Sequence, residues 1–207
     1  MRVDAVGLHK VGRGVVVREA SSPAALTYQE DGAAQIRRAA RQAAGAVRLT
    51  WNETGALVLR RGPYVIAAGL DESVPGARPY VLHGRYLNLF DPELPVLNSV
   101  TVSPRNRMLL LDVDHFKTGG LRVLTASCRI RNQQSDGRTL TFQADGIADT
   151  NAILRIASPS APAEVAAGGQ ILDPSKYDYS AGLLRVRFPN SAEPVSIEVR
   201  LTARNHD

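Results

Sequence analysis

The stretch "LLRVRFPNSAEPVSIEVRL", residues 183–201, decides the fold class. In "LLRVRF" and "VSIEVRL" apolar residues alternate with arginine or glutamate. A period of two is the mark of a strand with one buried face and one outward face, as in an antiparallel sheet. Working back from there, "LRVLTASCRIRNQ", "RTLTFQADG", "TNAILRIAS" and "AEVAAGG" carry the same signal. "SDG" at 135–137 is a hairpin-type turn, and "AAGG" at 166–169 is a turn as well. Short strands with turns roughly every ten residues predict a β-sandwich of immunoglobulin-like type over residues 121–207.

Residues 49–116 read the same way. "VRLTW", "GALVLRR", "YVIAAG", "YVLHGRYLNLF", "NSVTV" and "RMLLLDVD" are strands, and "DESVPGAR", "DPELP" and "SPRN" hold turn residues. Helical periodicity is absent, so this is a first antiparallel β unit. "HFKTGG", residues 115–120, is the boundary with the second. Within the first unit "RRGPYVIAAGLDES", residues 60–73, is scaffold: Gly62 and Pro63 suit the start of a strand over Tyr64–Gly69. Arg60 and Arg61 are expected to pair with Asp71, Glu72 or Asp91 across turns.

Residues 1–48 differ. "GRGVVVREA" is a short buried strand, "SSPAALTYQED" a loop, and "EDGAAQIRRAARQAAGA" a helix. Ala33, Ile36, Ala40 and Ala43 share one face of that helix, and Arg37, Arg38 and Arg41 lie off it. Acids precede the arginines, which suits the helix dipole. A lone strand–helix unit cannot bury both its faces. The expectation is the tail of a larger α/β domain, so the chain reads as the C-terminal piece of a longer protein. The helix's apolar face would then drive self-association. The fold class is therefore mainly β, with two β-sandwich-like units and one N-terminal helix.

Charge and composition narrow the function. The 207 residues carry a net charge of +5. Of 25 basic residues only Lys10, Lys117 and Lys176 are lysines, and the arginines are scattered along the chain, often one per strand. That is no nucleic-acid footprint, which needs basic residues on one face. No segment reaches the roughly 18 apolar residues of a membrane helix, and "MRVDAVGLHK" lacks the apolar core of a signal peptide. The lone Cys128 forms no intrachain disulfide and reads as a buried, inert thiol in a strand.

Signals for chemistry are sparse. The densest metal-ligand set is Asp112, Asp114 and His115 in "DVDH", but no spaced oxygen ligands of a calcium loop accompany it. Asp71, Glu72, Asp91 and Glu93 are the carboxylates a hydrolase would draw on, and turn formation explains each. "GRG" at 12–14 precedes its strand, unlike a phosphate loop, and no nucleophile elbow occurs. Trp51, Tyr64, Tyr80, Tyr86 and Phe90 in the first β unit, with Tyr177 and Tyr179 in "PSKYDYS", are candidate platforms for sugar rings.

One resemblance adds to these readings. "ALVLRRGPYVIAAGLDES" and "YVLHGRYLNLFDPELPVLNSVTVSPRNRMLLLDVD" resemble the C-terminal accessory β region of bacterial glycoside-hydrolase-like proteins. "GRGVVVREASSPAALTYQEDGAAQIRRAARQA" is similar to the closing strand and helix of a glutamine-amidotransferase-like α/β domain, as in trimeric β-galactosidases. The barrel that would hold catalytic carboxylates has no counterpart here, so no catalytic residue carries over. The resemblance implies a noncatalytic accessory β region of a carbohydrate-active bacterial protein, with other domains or a second copy as partners and no cofactor. A carbohydrate-binding module using Tyr177, Tyr179, Trp51, Tyr64 and Tyr86, and a small Asp/Glu hydrolase, stand as alternatives. Nucleic acid and membrane are not expected partners.

Overall fold

A computed structural model describes residues 5–70, 78–116 and 120–202. These form two compact units, one ending at Thr54 and the other starting at Gly55.

The first unit opens with a hairpin, β1 (Gly7–Val11) and β2 (Gly14–Arg18), joined at Gly12 and Arg13. Gly12 has φ +58, the left-handed conformation such a tight turn requires. A five-residue helix follows, α1 (Pro23–Thr27). The Ser22 hydroxyl accepts from the Ala25 amide at 3.1 Å, and Pro23 sits in the first turn, where its missing N–H costs nothing. Then comes α2 (Gly32–Ala46). Gly32 has no room for a side chain: a Cβ there would lie 1.9 Å from the Leu26 carbonyl oxygen. The sequence reading of strand, loop, helix is corrected in several places: β2 has no fully buried residue, and "VRLTW" forms no strand. His9 and Lys10 interrupt the apolar pattern and hid β1, and the "SSP" read as loop is a helix cap.

Among its described residues the second unit holds strands and two single 3₁₀ turns, at Val113–His115 and Pro174–Lys176. Its first sheet holds β3 (Ala56–Arg61), β4 (Tyr64–Gly69), β5 (Tyr80–Asn88), β6 (Val96–Val102) and β7 (Arg107–Asp112), in the order β3-β4-β7-β5-β6. All neighbours run antiparallel. β5 pairs with β7 only at Tyr86–Asn88, whereas with β6 it pairs from Tyr80 to Leu87 across a bulge between His83 and Tyr86. The bulge bends β5, and β6 comes into contact with β4. Val65, Leu82, Tyr86, Val100, Val102 and Leu110 fill the space so enclosed.

The rest of the unit is a sandwich. β8 (Arg122–Ala126), β11 (Asn151–Ala157), β15 (Leu183–Pro189) and β14 (Tyr177–Ser180) make a four-stranded sheet. β9 (Arg129–Ser135), β10 (Thr139–Asp145), β16 (Val195–Leu201), β12 (Pro162–Ala167) and β13 (Gln170–Ile171) make a five-stranded one. Leu140, Phe142, Leu154, Ile156, Val186 and Ile197 meet between them. The fold is mainly β, as the alternation predicts.

The four-stranded sheet is covered on its other face as well. β11 is buried from Ala152 through Ile156, so it has no solvent face. Leu183 of β15 joins Leu87 and Leu111 of the first β sheet, and Val113 of the 3₁₀ turn after β7, in one cluster. Every second residue of "LLRVRF" therefore faces this seam, and Arg185 and Arg187 point into it. Their side chains are only 21% and 31% exposed, which corrects the expectation of plain outward arginines.

Candidate functional site

Two charged networks and small cavities line the seam. The first network starts on the inner face of the first sheet. Arg60 reaches across from β3, donating to Asp112 Oδ2 at 2.8 Å and to the Tyr86 hydroxyl at 2.9 Å. The hydroxyl donates in turn to the His83 carbonyl at 3.0 Å. Asp112 Oδ1 accepts the Asp114 amide at 3.1 Å, capping the 3₁₀ turn. Asp114 accepts the Arg85 amide at 3.0 Å and Arg85 Nε at 2.8 Å. Arg85 then donates to the Ala181 carbonyl of the sandwich at 3.0 Å. The Arg85 amide, its guanidinium and its charge together hold the Asp114 carboxyl below its usual range.

The second network hangs on residues 89–95, between β5 and β6. Arg155, in the middle of β11, is 4% exposed and donates Nε to the Leu94 carbonyl at 2.8 Å. Burial, and the neighbouring charge of Arg185, push its pKa down. Arg185 donates to Asp178 at 2.6 Å and to Glu93 at 3.2 Å, and Arg187 donates to the same Glu93 oxygen.

One cavity lies beside Arg85 of the first network, with a volume of about 200 Å³. Phe116, Leu124, Pro159 and Leu183 line it, along with Arg85 and Ser158. It is smaller than the roughly 300–1,000 Å³ of ordinary ligand pockets. Arg85 is already committed to Asp114 and Ala181, and the Ser158 hydroxyl to the Ser160 carbonyl at 2.6 Å.

The residues singled out in the sequence are scattered over these features. Asp112 and Asp114 do come together, but with Arg60 and Arg85 as their partners. His115 is exposed, its ring edge-on to Phe116 at 5.8 Å. Among the described residues no group of three or more His, Cys, Asp or Glu is placed to hold a metal ion. The strand alternation used to align "DVDH" ends at Asp112, where the chain turns. Arg60 takes Asp112 rather than Asp91. Asp71 and Glu72 lie outside the described residues, as does His206.

The aromatic candidates divide by burial. Tyr86 is 1% exposed, inside the first core, and its ring is closed to any ligand. Tyr177 and Tyr179 pack on the sandwich core, with the Tyr179 hydroxyl donating to the Ser158 carbonyl at 3.3 Å. Trp51 is partly open, and its Nε1 donates to Glu53 at 2.8 Å, as do Arg37 and Arg41 nearby. Tyr64 is 48% exposed on an outer sheet face that also shows Leu57, Leu59 and Ile66. Arg155 was missed. Its signal was present in "NAILRIA", where a single charge sits inside an otherwise apolar strand.

No protein-family profile and no curated protein matches the chain. Among solved structures it is similar to the GH31 dextranase of Flavobacterium johnsoniae. In a mutant complexed with isomaltotriose the identity is 11% and the TM-score 0.26, covering 67% of this chain and 26% of that one. In the glucose complex they are 12% and 0.24, with the same coverage. The chain thus spans about a quarter of the dextranase. At these TM-scores the likeness carries no weight for fold or chemistry. No helix among the described residues is long and apolar enough to cross a membrane.

Proposed function

We propose that the chain is a noncatalytic accessory β region of a carbohydrate-active bacterial protein, acting by packing against other domains or a second copy. The observation that carries the noncatalytic reading is the pairing of the carboxylates. Asp112 is held by Arg60, Asp114 by Arg85, Glu93 by Arg185 and Arg187, and Asp178 by Arg185. Glycoside hydrolysis needs one carboxyl kept protonated in an apolar setting and a second free to attack or to activate water. None of these four carboxylates lines the cavity of about 200 Å³, whose described lining carries no carboxylate, so no such pair converges there. The carbohydrate context rests on the sequence resemblance of residues 56–73 and 80–114. The test is hydrolysis of a panel of aryl glycosides and soluble glucans. A rate above buffer that disappears in Asp112→Asn or Glu93→Gln overturns the reading.

Self-association through α2 is supported by Ile36, which stays 50% exposed on a helix whose other apolar positions are alanines. Sedimentation of the wild type against Ile36→Glu tests it: an oligomer that falls to monomer supports the reading, and a wild-type monomer removes it.

One observation favours a second reading, carbohydrate binding. Tyr64 beside Leu59 and Ile66 forms an open apolar patch with an aromatic ring, the kind of surface a sugar face stacks on. A glycan array run with wild type, Tyr64→Ala and the Tyr177→Ala/Tyr179→Ala pair separates the cases. Binding lost only in Tyr64→Ala promotes this reading, and no binding by the wild type leaves the packing role.

A further inference from the structure

We propose that residues 89–95 are a releasable strap, held shut over the outer face of the four-stranded sheet by the carboxylate of Glu93. The case rests on a charge imbalance under a cover. Arg155 stands opposite Arg185, and Arg187 opposite Ile153, on neighbouring strands of one face. The sheet supplies one carboxylate to these three guanidiniums, Asp178, opposite Arg185 on β14. The second comes from the strap, where Glu93 takes both Arg185 and Arg187. With Glu93 in place these three guanidiniums face two carboxylates, and without it they face one. Without it, like charges crowd around Arg155, which is already nine-tenths buried. Desolvated guanidiniums lacking counter-charge are costly, and lifting the cover lets water solvate them.

The geometry gives the strap apolar ends and a middle whose outward half, Pro92 and Glu93, is exposed while Leu94 is buried. At its roots Leu89 and Val96 pack against the Leu87, Leu111, Val113 and Leu183 cluster, and the Leu89 amide donates to the Leu109 carbonyl at 2.9 Å. In the middle Leu94 has φ +45, a strained conformation for a branched residue, and Arg155 holds its carbonyl. Between the strap and the sheet a cleft of about 260 Å³ remains, lined by Pro92, Leu94, Thr125, Ser127 and Ile153. The middle is therefore pinned by the Glu93 ion pairs, by the buried Leu94 side chain, and by two hydrogen bonds to its carbonyls, Arg155 to Leu94 and Arg185 to Glu93 at 3.2 Å. Salt weakens partly exposed ion pairs, so the strap's closure follows ionic strength, and its opening presents a basic sheet face to solvent.

Hydrogen exchange by mass spectrometry on the whole chain tests this at about 50 mM and about 500 mM NaCl, where screening differs severalfold. The expected result is exchange at residues 89–95 about tenfold faster in Glu93→Gln than in wild type at low salt. Wild type approaches the variant at high salt, the variant itself barely responds, and β10 and β16 do not change. Adding Arg187→Gln to Glu93→Gln removes one excess charge and restores part of the protection. Unchanged exchange at residues 89–95 in Glu93→Gln overturns the proposal. So does a loss spread evenly over β3 to β16, and so does a double variant no better protected than the single one.

Discussion

Arg155 donates its Nε to the carbonyl of Leu94 at 2.8 Å, tying the centre of a sandwich strand to a loop of the neighbouring sheet. A buried carbonyl left without its donor costs the desolvation of that group, and truncating the arginine also leaves a void. Arg155→Ala is expected to lower stability by roughly 1–3 kcal/mol. Arg155→Met fills the space and removes a charge that burial disfavours, so it should lose less. Urea unfolding of the two variants checks the order, and equal losses would mean the hydrogen bond alone dominates.

How much of this was legible in the sequence follows from what alternation can and cannot say. It reported β10, β11, β12, β15 and β16, because one face of each lies on a single apolar core, but it ran β8 and β9 together across the bend at Ser127 and Cys128 and passed over the short β13 and β14. It could not tell what lies on the other face. Arg185 and Arg187 read the same whether they meet water or the Glu93 of a distant turn. "DPELP" read as an ordinary turn because its residues do form one, with the Glu93 amide donating to Asp91 Oδ1 at 2.9 Å. Its docking on the sandwich depends on Arg155, 61 residues away, and no local pattern records that. Tyr86 failed as a sugar platform for a related reason. A tyrosine in a strand looks the same buried or open, and here Arg60 and the His83 carbonyl satisfy its hydroxyl inside the core.

The Asp114 carboxyl has a folded-state pKa below its ordinary 3.8, chiefly through the Arg85 amide. The unfolded state therefore binds the proton more readily. The contribution to stability is present above about pH 4 and is lost as pH falls through the lowered folded-state value. Melting temperatures from about pH 5 down to about pH 2.5 should show a shallower acid-side decline in Asp114→Asn than in wild type. Parallel curves would sink the assignment.

Cys128 lies in the bend between β8 and β9 rather than within a strand, half-buried against the sandwich core. Burial, and then the negative charge of Asp145, push its thiol pKa up. Only the thiolate attacks, so the folded chain should react with a disulfide reagent at about pH 8 at least roughly tenfold more slowly than free cysteine. The difference should vanish in denaturant. As the chain has one cysteine, the signal has one source.

Gly69 closes β4 against the turn between β6 and β7. Its amide donates to the Asn106 carbonyl at 2.9 Å, and a Cβ at this position would lie 1.9 Å from the Ser103 carbonyl oxygen and 3.0 Å from Pro104 Cα. The obstacle is backbone on both counts, so no side chain can swing away. Gly69→Ala must push β4 and that turn apart, opening the core around Val65, Ala67 and Val102. Overpacking of this kind costs roughly 1–3 kcal/mol and sometimes more, and a backbone obstacle belongs at the upper end. Gly168→Ala is the control for a generic glycine effect. It has φ +59 in an open turn where a Cβ meets nothing closer than Val195 Cγ1 at 3.7 Å, so its cost is conformational alone, about 1 kcal/mol. A calorimetric melting point lowered clearly more by Gly69→Ala than by Gly168→Ala is the expected result, and equal shifts would show that β4 does not abut the turn.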